Sequence, residues 1–305
     1  MGQKDITEKI LEAYNDVFSD IVNVLLFNGE DVLKPDELEE QAPRSAYKAD
    51  GKYREIERDV AKRWKKKNIR VACIGFENQT EPDADMPLRI MGYDGAEYRA
   101  QLNEGQKDKY PVITLVLYFG HKKHWDEPLS LVERLNVPEK FRPFVNDYKV
   151  NLFEIAFLDE DKVKLFKSDF KVVADYFVQM QKTGNYIPNA DHILHIKETL
   201  GLLSIMTDDN RFEEALNNAD ANLENGKEIR NMCDVLDRIE ARGEARGEAR
   251  GKARGEAIGE ARGEEKKAKE MAKILHEKNV SIDIIAASAG VTVSVVKEWL
   301  GLVSA

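Results

Sequence analysis

Three polar residues in the first third of the chain have types and spacing that suit chemistry. Glu77 and Gln79 end a short apolar segment, and the two-residue period of a strand places both side chains on one face. If the chain turns back near Asn68 as an antiparallel hairpin, Asp59 falls opposite Glu77, because each lies nine residues from Asn68. Two facing carboxylates repel unless a cation lies between them. The sequence therefore predicts a divalent-metal site.

The expected metal ion is Mg²⁺ or Mn²⁺, with Asp59 and Glu77 as its ligands, because hard divalent ions prefer oxygen ligands and are commonly held by one or two carboxylates plus phosphate. Such an ion activates water and stabilises charge on a phosphate. Gln79 completes the predicted catalytic set. Its amide cannot act as a base at ordinary pH, so its expected role is to orient water or a ligand.

The elements that must position these residues are predicted from hydrophobic periodicity. Apolar residues at helical spacing predict an amphipathic helix over residues 5–27. Strands are expected on both sides of Asn68, and continuous apolar runs predict two further buried strands at 110–120 and 152–158. A helix over 165–182 should complete the core.

Two segments between these elements are expected to be irregular. Residues 28–52 contain glycine, proline and many charges, which predicts a loop that borders a cleft. Residues 121–148 contain three prolines and little periodicity, which predicts an insertion that wraps over the surface. His121 and His124 have no further cysteine or histidine nearby, so an exposed basic strand end is favoured over a zinc site.

Three segments of the chain are DVFSDIVNVLLF, GFENQTEPDADMPLRIMGYDG and YPVITLVLYFG, in this order. Together they resemble the recombination-promoting nuclease (Rpn) family, also named the putative transposase family, of the PD-(D/E)XK nuclease superfamily. Most superfamily members have lysine where this chain has Gln79. The resemblance covers roughly residues 5–180. It implies an α/β fold with a mixed central sheet flanked by helices, and the activity of a metal-dependent DNA endonuclease.

The resemblance also implies further site residues. In the superfamily an acidic residue of the first helix often joins the metal site, which makes Asp16 and Asp20 candidates; the alternative is a solvated face or a helix-end charge. Arg89 and Tyr93 are i,i+4 neighbours, and an arginine and a tyrosine recur at this place in the family. They are candidates for phosphate contacts, the alternative being helix packing and a salt bridge.

The charge distribution bears on DNA as the expected partner. The net charge of the 305 residues is −10, so a DNA-binding surface must concentrate its basic residues locally. Residues 52–70 carry nine Lys or Arg against three Asp or Glu, and within them Arg58 and Lys62 are candidates for phosphate contacts. The alternative is a solvated hairpin whose charges keep an edge strand from aggregating.

Cysteine usage and hydropathy indicate the compartment. Cys73 and Cys233 give neither a disulfide framework nor a metal-binding spacing, which predicts a reducing, cytoplasmic location. No stretch reaches about 18 consecutive apolar residues, so no membrane segment is expected.

The chain is expected to contain four segments. A nuclease-like domain over 1–183 is followed by a helical extension over 184–240, a Gly-Glu-Ala-Arg repeat over 241–267 and a helix-turn-helix-like module over 268–305. The repeat is either a helix that pairs with a neighbour or a tether. A homodimer held by the C-terminal helices is expected.

Two functions follow from these observations. The first is a metal-dependent DNA endonuclease linked to recombination or mobile elements. The second is a catalytically weak or inactive nuclease-fold protein that binds DNA or assists assembly, which is motivated by Gln79 and the acidic net charge. A full transposase is disfavoured, because no separate Lys/Arg-rich end-binding domain is evident.

Overall fold

The computed structural model describes residues 11–41, 44–49, 52–57, 59–67, 69–104, 108–207, 209–217 and 230–302. The chain divides into two compact units, Met1–Ile239 and Glu240–Ala305. The first unit contains a β-sheet with helices on both faces, and the second is helical.

The sheet of the first unit is mixed. In chain order the strands are β1 (Leu38–Glu40), β2 (Arg44–Ala49), β3 (Lys52–Glu57), β4 (Val60–Lys66), β5 (Ile69–Gln79), β6 (Val112–Tyr118) and β7 (Asn151–Glu154). Five of them form one sheet in the order β1-β4-β5-β6-β7, while β2 and β3 form a separate antiparallel pair. The β1-β4-β5 pairs are antiparallel and the β5-β6-β7 pairs are parallel. This mixed sheet between helices confirms the predicted α/β fold class.

Helices cover both faces of this sheet. In chain order, the helices of the two units are α1 (Asn15–Phe27), α2 (Met86–Asn103), α3 (Leu131–Arg134), α4 (Glu160–Val163), α5 (Phe170–Thr183), α6 (Ile196–Met206), α7 (Asn210–Asn217), α8 (Met232–Glu277), α9 (Ile282–Ala289) and α10 (Val293–Trp299), and those that cover the sheet belong to the first unit. On one face the ring of Phe18 in α1 stacks on Phe76 in β5, with 4.4 Å between centroids. On the other face Ile90 and Tyr93 of α2 pack on Val116 of β6. Strand β6 is therefore covered on both sides, which explains its continuous apolar run.

A β-bulge interrupts the β4–β5 ladder. Near the turn Lys66 pairs with Ile69, but beyond the irregularity at Trp64 and Lys65 the register changes, and Trp64 pairs with Ala72. Val71 is the extra residue on β5. A bulge places two residues of one strand opposite one of its partner. All pairs beyond it are consequently displaced by one position, and the last of them joins Val60 to Phe76.

The segment predicted as a loop over 28–52 contains regular structure, so that prediction was wrong. Besides a 3-10 turn at Pro35–Glu37, it includes β1, β2 and the start of β3. Ala49 pairs with Lys52, and the Asp50-Gly51 dipeptide between them is a strong sequence signal for a two-residue hairpin. Glycine and charged residues favour a loop, but short strands tolerate both.

Two other boundaries differ from the predicted ones. Strand β7 ends at Glu154, and Ile155–Phe157 forms a 3-10 turn, although Ile155 and Ala156 are completely buried. An apolar run reports burial and does not by itself distinguish a strand from a buried turn. In the predicted helix over 5–27, residues 5–10 lie outside the described residues, and Tyr14 has extended backbone angles just before α1.

The helical extension packs on the same core as the sheet. Side chains from α6, α7 and the start of α8 belong to the hydrophobic cluster that includes Phe76 and Phe177. Leu200, Phe212 and Met232 are completely buried. The change from sheet to helices near residue 184 thus falls inside the first compact unit.

The second unit is formed by helices alone. Helix α8 runs without a break through the repeat, whose residues 243–267 are exposed. Ala272, Ile285 and Val296 form a small core, and Gly290, with φ +66°, ends α9 in the left-handed conformation. In the described part of the chain, no helix is long and apolar enough to cross a membrane.

Candidate active site

Glu77 is a buried carboxylate near the end of β5. Its side chain is 3% exposed and forms an ion pair with Arg89 of α2. Its Oε1 atom also accepts from the amide of Gln79 at 3.3 Å and lies 3.5 Å from the hydroxyl of Tyr93. Burying a carboxylate is costly unless it is paired and hydrogen-bonded. Three of the predicted site residues therefore surround Glu77.

Asp59 lies immediately before β4 and is bound to β5 through its side chain. Its Oδ2 atom accepts from the backbone N–H of Asn78 at 2.7 Å. Because Val60 pairs with Phe76, the next position of the ladder brings Asp59 opposite Glu77, as the hairpin argument predicts. That alignment depends on the bulge, since an unbulged hairpin would place Phe76 opposite Asp59.

The pKa of Tyr93 reflects its burial and the negative charges of the neighbouring carboxylates. Burial raises the pKa of Tyr93 to about 12, and the negative charges of Glu77 and Asp59 act in the same direction. Both carboxylates are thus close enough to the phenol to disfavour a third negative charge. Tyr93 keeps its proton throughout the neutral range and serves there as a hydrogen-bond donor.

Arg89 is the cation of the site. Its Nη1 atom donates to Asp83 at 2.8 Å, while its Nη2 atom faces Glu77. Burial alone would lower the pKa of Arg89, but the charge of Glu77 and the hydrogen bond to Asp83 outweigh it and raise that pKa above its ordinary value. The guanidinium stays charged and screens the Glu77 carboxylate. A phosphate contact by Arg89 or Tyr93 remains a prediction.

The two candidate acids of the first helix have their contacts elsewhere. Asp16 Oδ2 lies 3.1 Å from Nε2 of His195, the residue just before α6. Asp20 Oδ2 accepts from the backbone N–H groups of Lys167 and Ser168 at 2.8 and 2.7 Å. These carboxylates join α1 to later helical segments, so the structure does not bring them to the site in the way the resemblance implies.

Glu12 is the acidic residue that connects the first helical segment to β5. It is completely buried, and its Oε2 atom accepts from the Asn78 side-chain amide at 2.8 Å. Sequence reasoning missed it, because Glu12, Asp16 and Asp20 form one i,i+4 row. Only tertiary packing shows which of the three reaches the sheet.

Lys62 is not a phosphate contact in this structure, and that prediction is corrected. Its side chain is 2% exposed, and its Nζ atom lies 5.9 Å from the centre of the Phe18 ring. Lys62 pairs with Ile74, on the α1 side of the sheet, whereas Glu77 faces α2. Burial lowers the pKa of the Lys62 ammonium, against the charge of Glu40. Arg58 lies outside the described residues.

A cavity of about 880 Å³ opens where β5 and β6 end. Its lining begins with Thr80 and Glu81 after β5 and continues through Gly120, His121 and Lys122 after β6. Parallel strands place their carboxyl ends at the same edge of a sheet, so the cavity lies at the edge where Gln79 ends β5. Its further lining comes from α5 and from the segments around α6 and α7, and none of Asp59, Glu77, Gln79, Arg89 and Tyr93 lines it. Sites in open α/β sheets commonly occupy this position.

The donors present suit a metal shared with substrate better than a metal held by protein alone. In the described ranges, no group of three or more His, Cys, Asp or Glu residues is arranged to hold a metal ion. Asp59 and Glu77 offer hard oxygen atoms, and Mg²⁺ is often bound by only one or two carboxylates together with phosphate and water. The site therefore fits a divalent ion that binds jointly with a phosphodiester.

The fold, a mixed five-stranded sheet between helices, is of the α/β class expected for a PD-(D/E)XK nuclease-like protein. Residues 60–211 match the family model described as Putative transposase, YhgA-like, and over these residues the chain belongs to that family. The Rpn resemblance of the sequence is thereby confirmed. No curated protein and no solved structure matches the chain.

Proposed function

We propose that the protein is a metal-dependent DNA endonuclease whose centre is formed by Asp59 and Glu77. The observation that carries this proposal is the buried Glu77 carboxylate at the end of β5, one ladder position beyond the Val60–Phe76 pair. Gln79, Arg89 and Tyr93 all converge on it. The family description supports a nuclease-like or mobile-element function.

Each side chain has a role in this proposal. Bound Mg²⁺ or Mn²⁺ would supply an activated water and offset charge on the scissile phosphate. Asp59 and Glu77 would hold the ion, and the Gln79 amide would orient the water through a hydrogen bond. Arg89 places a permanent positive charge near the phosphate, while Tyr93 donates a hydrogen bond to an oxygen atom. Glu12 acts indirectly by fixing the Asn78 side chain.

Cleavage of supercoiled plasmid tests the proposal. Wild type, Asp59→Asn and Glu77→Gln are compared with Mg²⁺, with Mn²⁺ and with EDTA. Asp161→Asn is the control, since its carboxylate is 94% exposed and forms a surface ion pair with Lys164, the residue that follows α4. We expect metal-dependent nicking by wild type and the control alone. Equal cleavage by wild type and Asp59→Asn would refute the assignment.

A second function is a nuclease-fold protein that binds DNA or assists assembly without cutting. The contact between Arg89 and Glu77 favours it, because a cation already neutralises one of the two proposed metal ligands. Calorimetric titration of Mn²⁺, with and without a short duplex, separates the two functions. Metal binding that requires DNA supports the nuclease, whereas no metal binding in either state supports the second function.

A further inference from the structure

Two phenylalanine side chains are exposed on one turn of the surface insertion. Phe141 is 63% exposed and Phe144 is 83% exposed. Burying an aromatic ring is favourable, so large exposed rings that lie close together mark a surface for a partner. We call residues 138–145 the Phe141–Phe144 turn.

The turn is ordered by its own backbone. The N–H of Phe141 donates to the carbonyl of Pro138 at 2.8 Å, and the N–H of Phe144 donates to the carbonyl of Phe141 at 2.9 Å. Arg142–Phe144 is a 3-10 turn with proline in the middle. The rings are therefore presented on a fixed backbone, and a partner does not have to order it.

The insertion that carries this turn is attached to α2 and to the residue before it. A bridge between Ser130 and Lys149 closes its base. Arg134 donates at 2.7 Å to Asp85, the residue immediately before α2. Tyr148 donates to Asp94 within α2. Helix α2 also carries Arg89 and Tyr93, so the insertion is attached to the element that borders Glu77.

Basic residues accompany the rings. Lys140 directly precedes Phe141, and Arg142 lies between the two rings with its side chain 62% exposed. Arg142 approaches Glu139 only to 4.0 Å on the surface, and such exposed pairs are weak. Alternating basic and aromatic side chains suit a nucleic acid, because the basic groups contact phosphates and the aromatic rings stack on bases.

We propose that the Phe141–Phe144 turn binds unpaired or easily unstacked bases of DNA beside the cleavage centre, with Lys140 and Arg142 on the flanking phosphates. The inference rests on the proposed nuclease function and narrows its substrate class. Forked, bubbled or single-stranded DNA binds more tightly than continuous duplex. Rings of this kind stack on exposed bases or wedge between base steps, and both are easiest where pairing is already broken.

The test is fluorescence anisotropy in EDTA, which excludes metal-dependent cleavage, using a continuous duplex and a fork that contains 2-aminopurine at the junction. The double variant Phe141→Ala/Phe144→Ala is compared with Ile187→Ala/Leu194→Ala, whose side chains are each 70% exposed elsewhere. We expect the phenylalanine variant to lose at least about fivefold in affinity for the fork and to lose the 2-aminopurine quenching. Duplex affinity and the control should change less than about twofold.

A charge variant separates the two parts of the turn. Lys140→Gln/Arg142→Gln should weaken fork and duplex alike and reduce the slope of log affinity against log salt by about one to two. The proposal is overturned if the phenylalanine variant binds the fork as wild type does, loses duplex and fork equally, or changes only binding to anionic vesicles. If the wild-type protein does not cleave plasmid in the presence of metal, the nuclease function is refuted, but these binding results still decide whether the turn binds unpaired bases.

Discussion

At the scale of single residues, the contact between Arg89 and Glu77 changes the consequence of neutralising that carboxylate. If Asp59 and Glu77 faced each other without a cation, removing one charge would reduce their repulsion and stabilise the fold. Glu77, however, already has the Arg89 guanidinium beside it. Arg89 would keep only Asp83 if Glu77 lost its charge. The stability of the folded protein and the proposed metal binding therefore both depend on the carboxylate oxygen atoms of Glu77.

Glu77→Gln should abolish metal-dependent cleavage, by at least about 100-fold, because an amide replaces a proposed ligand. It should also lower the free energy of unfolding by about 1–3 kcal/mol, since a charged hydrogen bond is lost in a buried place. Urea denaturation and plasmid cleavage measure the two effects, with Asp161→Asn as the control. A more stable Glu77→Gln protein would contradict this account of the site.

Gln79→Lys restores the residue found in most of the superfamily, but it adds an ammonium next to the Glu77–Arg89 pair. We expect metal binding to persist with a changed preference between Mg²⁺ and Mn²⁺, because two cations now compete with the ion for one carboxylate. Calorimetry on this variant and on Gln79→Lys/Arg89→Gln checks the reason. If neither variant binds metal although both are folded, the Gln79 amide itself is required for metal binding.

Tyr93 makes stability depend on pH in the alkaline range. Its pKa is raised to about 12 in the folded protein, against about 10 for a tyrosine in an unfolded chain. The unfolded chain therefore loses this proton first, and the resulting stability is complete below pH ~10 and disappears between pH ~10 and 12. The melting temperature of wild type should fall more steeply over this interval than that of Tyr93→Phe. Parallel curves would refute the assignment.

The sequence predicts those site contacts that follow from the local period of a strand or a helix. The period of a strand pairs Glu77 with Gln79, and the period of a helix pairs Arg89 with Tyr93. Whether α2 turns its Arg89–Tyr93 face towards β5 is decided by packing across long sequence separations. The same holds for Glu12 and Lys62, which no local rule distinguishes from neighbouring charged residues.

At the scale of elements, strands and helices with strong apolar patterns were predictable, and short polar ones were not. Strand β6 and helix α5 follow from their buried faces. Strand β1 contributes only Leu38 to the core and otherwise consists of two exposed glutamates, so hydrophobicity gives it no signal. Its place at the sheet edge comes from backbone pairing with β4.

The loop after β6 offers a sharp test at this scale. A Cβ atom at Gly120 would lie 2.1 Å from the Tyr118 hydroxyl, whose hydrogen bond to the Lys123 carbonyl is 3.1 Å long. Gly120→Ala must displace the Tyr118 ring and should cost about 1–3 kcal/mol. Gly95→Ala is the matched control, because no neighbour lies within 4 Å of a Cβ there, and it should be neutral or stabilising. Equal melting temperatures for both variants would contradict the steric argument.

At the scale of the whole molecule, self-association remains a prediction. Met271, Ile274 and Ile284 are 57%, 47% and 61% exposed in the helical second unit. Exposed ion pairs contribute only about 0–1 kcal/mol each, so the charged repeat alone would hold two chains weakly. Apolar side chains of the last helices would have to supply most of the association.

Deleting residues 268–305 should therefore weaken a homodimer more than deleting 241–264. Sedimentation equilibrium over micromolar concentrations compares full-length protein with the two truncations. Circular dichroism shows whether the first unit stays folded in each of them. A full-length monomer, or a dimer that survives the C-terminal deletion unchanged, would refute this assignment.

The bulge at Val71 also determines how the spacing of the two carboxylates should be compared between related chains. A two-residue turn pairs residues separated by an odd number, as Lys66 and Ile69 are, three positions apart. Asp59 and Glu77 are separated by 18 positions, an even number, so in a hairpin with a two-residue turn they face each other only when one strand carries an extra residue. The parity of this interval thus indicates whether a hairpin of this kind is bulged. A relative with an interval of 17 or 19 would align the same carboxylates without a bulge, and a search motif of fixed length would overlook it.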